Sequence, residues 1–162
     1  MRARASLRPF PREAGAPAPL ECAVTRRVAF SEADPMGIAW FGRYAVYFEE
    51  GAAALGRRCG LSYGDYFEAG LRAPVVRYHV EYLQPLHLDE AFTIRCRLVW
   101  CEGARLNTEY ALDTAEGGLA ATGYTVQLLV CAETGEVCLT PPPLLTRCRQ
   151  RWREGALASL QA

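Results

Sequence analysis

The chain has 162 residues, 51% of them apolar, with eighteen basic side chains balanced by eighteen acidic ones. That length fits one domain with a core of ordinary size. The zero net charge excludes a net field that would draw nucleic acid or a membrane surface. All of the positive charge is arginine, with no lysine, which reads as the coding bias of a GC-rich genome rather than a functional device. No run of about 18 apolar residues occurs, so no transmembrane helix is expected.

Seven cysteines stand at positions 22, 59, 96, 101, 131, 138 and 148. None forms a CxxC pair, and His79 and His87 do not flank them at metal-ligand spacing. Several sit inside apolar runs, where a free thiol behaves as a small hydrophobe. Reduced core cysteines of a cytoplasmic protein, with no metal and no cofactor, are the expectation.

In chain order, Met1 to Leu20 is rich in Arg, Pro and Ala without apolar periodicity. It lacks the apolar centre of a secretory signal, and its prolines oppose an amphipathic transit helix; residues 1–20 are expected to be a disordered tail. Glu21 to Phe30 reads as a strand, and Ser31 to Gly37 as a loop in which Pro35 denies Asp34 helical geometry and Gly37 permits a turn. A helix is predicted from about Trp40 to Cys59, because Phe41, Tyr44, Ala45, Phe48, Ala52 and Leu55 recur at three- and four-residue steps. Gly60 is placed to end it. A shorter helix, Tyr63 to Ala69, follows.

The rest alternates with period two. Val76, Tyr78, Val80 and Tyr82 form one face of Pro74 to Leu83. Phe92, Ile94, Cys96, Leu98 and Trp100 form the next, then Leu106, Thr108, Tyr110 and Leu112. Ala120, Thr122, Tyr124, Val126, Leu128 and Val130 complete the set. Four such runs predict antiparallel strands with one buried face, joined by turns at Cys101 to Ala104 and Ala115 to Gly118. After Pro141-Pro142-Pro143, Leu144 to Leu160 is expected to be helical. The domain is placed at residues 21–145, with 146–162 as a helical extension.

One long helix followed by a meander of strands must bury the helix against the sheet. The class is therefore α+β. The matching architecture is the hotdog fold, an antiparallel sheet wrapped around a central helix, with a twofold partner hiding the sheet edge in a homodimer or homotetramer.

The chemistry concentrates where the first strand ends and the long helix begins. First-turn amides of a helix lack internal partners and carry partial positive charge. A thioester carbonyl oxygen aimed at one of them gains about 3 kcal/mol as its oxyanion develops. An acid fixed just before the helix can attack the carbonyl carbon or activate a water. By spacing alone, Asp34 equally suits an Asx turn or a helix cap. Trp40 and Tyr44 equally suit packing, and Glu49 a solvated helix face.

Asp34-Pro35-Met36-Gly37-Ile38-Ala39-Trp40-Phe41, followed by Tyr44, Tyr47, Phe48 and Glu49, resembles the 4-hydroxybenzoyl-CoA thioesterase family. That family includes acyl-CoA thioesterases associated with the Tol–Pal system. The resemblance extends, less sharply, from about Glu21 to Leu145. It implies hydrolysis of an acyl-CoA or acyl-carrier-protein thioester, with Asp34 as nucleophile or general base and the Phe41 backbone N–H as oxyanion donor. It implies that Gly37, Ile38, Trp40, Tyr44 and Glu49 line the substrate site. Phe41 replaces the His of the Tol–Pal branch, and Glu49 stands where the hydroxybenzoyl branch has Asp. In the turn holding Cys101, Glu102 and Ala104, Arg105 alone remains for a CoA phosphate. The rival expectations are a hotdog hydratase or dehydratase, which would want a catalytic His in the helix-entry loop, and a non-catalytic thioester-binding protein.

Overall fold

The computed structural model describes residues 9–157. In chain order it holds β1 (Leu20–Arg27), α1 (Tyr44–Cys59), α2 (Tyr63–Glu68), β2 (Leu71–Arg72), β3 (Val75–Tyr82), β4 (Ala91–Val99), β5 (Arg105–Thr114), β6 (Leu119–Leu128), β7 (Val130–Cys131) and α3 (Pro143–Arg153). Five strands form one antiparallel sheet in the order β1-β4-β5-β6-β3, and β2 pairs with β7. The sheet curls around α1, which packs on β1, β4 and β5. The α+β class, the antiparallel sheet and the central helix are as expected; a simple meander is not, because β3 lies at the far edge beside β6 rather than beside β4.

The apolar stripe of α1 explains that packing. Tyr44, Tyr47, Phe48 and Leu55 are all buried against the inward-facing Phe92, Ile94, Cys96, Tyr110 and Leu112. Burying a side chain such as Phe48 contributes about 2 kcal/mol. The helix begins later than expected, because a 3-10 turn, Phe41–Arg43, precedes it. It ends on Gly60, whose φ of 80° is the left-handed conformation that a β-carbon disfavours.

One strand has the opposite phase to that expected. Ala120, Thr122, Tyr124, Val126, Leu128 and Val130 are expected to share the buried face; Ala120 and Val126 are buried, yet it is Gly123 and Thr125 that face α1. A β-carbon on Gly123 would lie 2.5 Å from the Phe48 ring and 2.2 Å from the His79 carbonyl. Thr125 Oγ1 meets the Tyr110 hydroxyl at 3.1 Å. Phe48 and Tyr110 stack with centroids 4.3 Å apart, and this pair leaves room only for small groups on β6. Tyr124 therefore points to the outer face, where it contacts His79 and Phe10.

That Phe10 contact belongs to a segment expected to be a disordered tail. From Pro9 onward the chain has defined partners: Phe10 packs on Tyr124, and the Ala18 carbonyl accepts from Trp152 Nε1 at 2.8 Å. An aromatic ring and a free carbonyl were enough to hold it, despite the prolines. The expectation for residues 1–8 lies outside the described residues, as does that for 158–160 as helix. The final helix starts at Pro143, where the ring's fixed φ suits a first turn. It buries Trp152 against Trp100.

Candidate active site

The loop between β1 and α1 is built by its own backbone. Asp34 N–H donates to the Ile38 carbonyl at 2.9 Å, and Gly37 N–H donates to the Asp34 carbonyl at 2.9 Å. Gly37 has φ 75°, which its missing β-carbon permits. The loop is sewn to the segment before β4: Ala39 N–H donates to Leu86 at 2.7 Å, and Leu88 N–H to Gly37 at 3.0 Å. Trp40 N–H donates to the Glu32 carbonyl at 2.8 Å, closing the loop onto the 3-10 turn Phe30–Glu32.

Asp34 is half-buried, and its Oδ1 accepts from Met36 N–H at 2.8 Å. It is thus an Asx turn, the bland alternative for such a residue. The turn fixes the carboxylate relative to the start of the helix while using one of its two oxygens in this bond. Phe41 opens the 3-10 turn that runs into α1, so its N–H is one of those without an acceptor inside the helix. Its carbonyl accepts from the Tyr82 hydroxyl at 2.8 Å, which ties the turn to β3. Its ring is 65% exposed.

The other expected site residues separate. Gly37, Ile38 and Trp40 share the loop with Asp34, and Ile38 bridges to His87. Tyr44 is buried in an edge-on stack with Tyr47 and Tyr82, which raises its phenol above the ordinary value by desolvation. It packs within this aromatic set. Glu49 lies at the mouth of a cavity of about 540 Å³, where its carboxylate accepts the Tyr63 hydroxyl. Burial, then Glu49, pushes the Tyr63 phenol up to about 12, so it remains a donor at neutral pH. Arg105 does not join Asp34. Its Nε donates to Cys101 Sγ at 3.3 Å, at the Leu20 end of the sheet, whereas Asp34 follows the Arg27 end. Seven strand residues at ~3.3 Å each separate those ends within one chain by roughly 20 Å.

The cavity itself escaped the sequence reading. It runs along α1 from Ala45 to Cys59, between that helix, α2, and the inner face of β3, β5 and β6, with Phe48, Leu106 and Tyr110 in its wall. No residue from Asp34 to Phe41 lines it. Also missed was a charge cluster supporting the loop. Arg26 Nη2 donates to both Glu32 oxygens at 2.6 and 2.7 Å, its Nη1 donates to Glu50, and the guanidinium lies over the Tyr47 ring. Glu32 also accepts from Ala29 N–H at 2.8 Å and from the Tyr47 hydroxyl at 3.3 Å. An acid six residues after an arginine on a strand is too common a pattern to have signalled it.

Among the described residues no group of three or more His, Cys, Asp or Glu side chains is placed to hold a metal ion. No helix is long and apolar enough to cross a membrane.

Residues 28–148 match the family model described as the thioesterase-like superfamily. YneP of Bacillus subtilis (strain 168), provisionally named an acyl-CoA thioesterase, is 35% identical over 107 residues, covering 66% of this chain and 78% of its own. A DHNA-CoA thioesterase from Staphylococcus aureus superposes with a TM-score of 0.72 at 24% identity, over 87% of this chain and 91% of that one. Another Staphylococcus aureus protein, solved in complex with CoA, gives 0.74 at 18% identity over 88% of each chain. These solved structures share the hotdog architecture with this chain.

Proposed function

The chain belongs to the thioesterase-like superfamily, and from that premise we propose that it hydrolyses acyl-CoA thioesters with Asp34 as the catalytic carboxylate. Asp34 either takes a proton from a water that adds to the carbonyl carbon or adds to that carbon itself. In both routes the carbonyl π electrons move to oxygen, and the Phe41 N–H donates to the resulting oxyanion. Collapse re-forms the carbonyl and breaks the C–S bond, so the electron pair leaves on sulfur. In the first route the proton held by Asp34 passes to the thiolate. In the second, water opens the mixed anhydride and regenerates the carboxylate. The carrier is CoA, with the pantetheine arm of an acyl carrier protein as the alternative.

The observation carrying this reading is the loop that fixes Asp34 by its Asx turn and runs directly into the helix start. The second carboxylate oxygen is then the one that faces the reaction. A twofold partner extends the support. The exposed edge strand β3 pairs with its own copy, and the antiparallel match sets the Tyr82 end of one chain beside the Val75 end of the other. Tyr82 holds Phe41, and Val75 lines the cavity. Asp34 and Phe41 of one chain thereby serve the cavity of its partner.

Replacing Asp34 by Asn should lower kcat at least about a hundredfold, with KM near the parent value. Thiol release from a panel of acyl-CoAs, followed with a colorimetric thiol reagent, measures it. Near-parent turnover in that variant refutes the assignment. Saturable CoA binding without release from any ester favours a binding protein instead. A hydratase is disfavoured because the helix-entry loop from Ser31 to Phe41 holds no His.

A further inference from the structure

We propose that an arginine face beside the cavity mouth is a docking surface for an acidic carrier protein, which delivers the thioester on its pantetheine arm. This rests on the thioesterase reading above and deepens it by naming the residues that meet the carrier and the kind of carrier they fit.

Two helices form the face. Arg57 and Arg58 stand in the last turn of α1, and Arg57 lines the cavity. The helix α3 lies against that end, since a β-carbon on Gly60 would stand 3.6 Å from Arg151 Nη1. Arg147 precedes Arg151 by four residues and so projects from the same side of α3. All four arginines are exposed, and among the described residues none of them is paired with a carboxylate, whereas Arg26, Arg95, Arg97 and Arg153 are. Acids close by are engaged. Glu49 accepts the Tyr63 hydroxyl, Asp65 accepts from Ser62, and Glu102 pairs with Arg153 at 2.8 Å. In a chain of zero net charge this leaves a local positive field at the mouth. Helix dipoles account for Arg57, Arg58 and Arg151, which stand in last turns. They do not account for Arg147, in the second turn of α3, where the dipole offers a cation nothing.

The place suits delivery. Arg57 and Val75 line the same cavity, and Val75 is at the end of β3 that the twofold match sets beside Asp34 of the partner subunit. An arm entering at this mouth passes the arginines, so whatever carries the arm meets them. The nucleotide of CoA is compact, and its phosphates call for guanidiniums held in a fixed fork. The chain builds held guanidiniums elsewhere: Arg149 donates to the Glu102 and Gly103 carbonyls at 3.1 and 2.6 Å. The four at the mouth have no such second partner, and Arg105 is turned to Cys101 Sγ. Unheld charges spread over two helices suit a broad acidic surface instead. They attract it across about 10 Å in 0.1 M salt and meet it with several weak contacts.

The test offers the full chain one acyl group, decanoyl, on three carriers: acyl carrier protein, CoA and N-acetylcysteamine, which copies the tip of the arm without protein or phosphate. In low salt the carrier-protein ester should exceed the N-acetylcysteamine ester in kcat/KM at least about a hundredfold, and about 1 M salt should remove most of that advantage. Arg147→Glu combined with Arg151→Glu should lower kcat/KM for the carrier-protein ester at least about tenfold, chiefly through KM. The same variant should leave the N-acetylcysteamine ester unchanged and the CoA ester within about threefold. Arg147→Gln with Arg151→Gln is the second variant should charge reversal unfold the chain. An equal loss on the CoA ester overturns the inference and gives the arginines to the nucleotide phosphates. A carrier-protein ester no better than the N-acetylcysteamine one, or unmoved by both variants, overturns it as well. Calorimetric titration with carrier protein bearing an S-decyl pantetheine thioether, which cannot be hydrolysed, separates the two readings. If no ester is cleaved but this probe binds the parent at least about tenfold tighter than the variants, hydrolysis falls and the docking surface stands. If the CoA ester is cleaved and the probe does not bind, the docking surface falls and hydrolysis stands.

Discussion

Arg26 shows how much of a site can rest on a residue outside it. Its side chain is only 19% exposed and meets two carboxylates, Glu32 and Glu50, so one cation joins the 3-10 turn before the Asp34 loop to α1. Removing one partner of such a set leaves a poorly solvated charge behind. Glu32→Gln should cost about 2–4 kcal/mol in urea unfolding, while Arg26→Met combined with Glu32→Gln should cost less than the sum of the two singles. Additive losses would mean that the pair does not act as a unit. Asp34 was legible because an Asp-Pro-x-Gly turn before an amphipathic helix is a local pattern, whereas the Arg26–Glu32 pair acquires meaning only once Tyr47 and Phe92 pack over the guanidinium. Arg105 lies at the other end of the sheet from Asp34 within one chain. Nearness to a turn in sequence said nothing about which end of the sheet that turn occupies.

Among the elements, the end of α1 was readable to the residue, its start came four residues later than expected, and the phase of β6 was not readable. Helical spacing and Gly60 bound α1 from within, but the phase of a strand is fixed by what lies across from it. Gly123 interrupts the apolar alternation, and the true inward face of β6 is a set of small or polar groups made room-limited by Phe48. Gly123→Ala should therefore cost about 2–3 kcal/mol or more in thermal or urea unfolding, since the added carbon meets backbone as well as a ring; a cost below measurement would mean that Phe48 is not held there. The short α2 makes a different prediction. Ser62 Oγ and N–H both donate to Asp65, and these bonds hold its carboxyl below the usual range. A lowered folded value means that the stabilisation is present above the ordinary aspartate pKa and fades as pH falls through the folded one. Ser62→Ala should cost about 1 kcal/mol at neutral pH through the lost cap, and part of the gap from the parent should close in acid. A gap of constant size down to the acid limb would separate the cap from the titration of Asp65.

At the scale of the molecule, the single chain holds its parts apart. The Asp34 loop and Phe41 sit at one end of the sheet, and the cavity extends along the helix to the other, at Val75. The sequence predicts a twofold partner from the unpaired edge and a site at the subunit interface, and the structure adds which end of β3 each piece adjoins. The β3 edge is eight residues long and mostly exposed, the kind of strand that native sheets rarely leave unpaired. An antiparallel self-match brings opposite ends together, so the Asp34 loop and the cavity should be shared in trans. Two variants isolate the two parts: Asp34→Asn disables the loop, and Ala52→Trp fills the cavity. Each alone should hydrolyse decanoyl-CoA poorly. Co-expressed with different affinity tags and purified through both, the mixed dimer contains one site damaged twice and one damaged not at all. It should recover about half the parent rate. If the loop serves the cavity of its own chain, every site in the mixed dimer carries one lesion and no activity returns. That result would discard the shared site while leaving Asp34 to be judged by its own test.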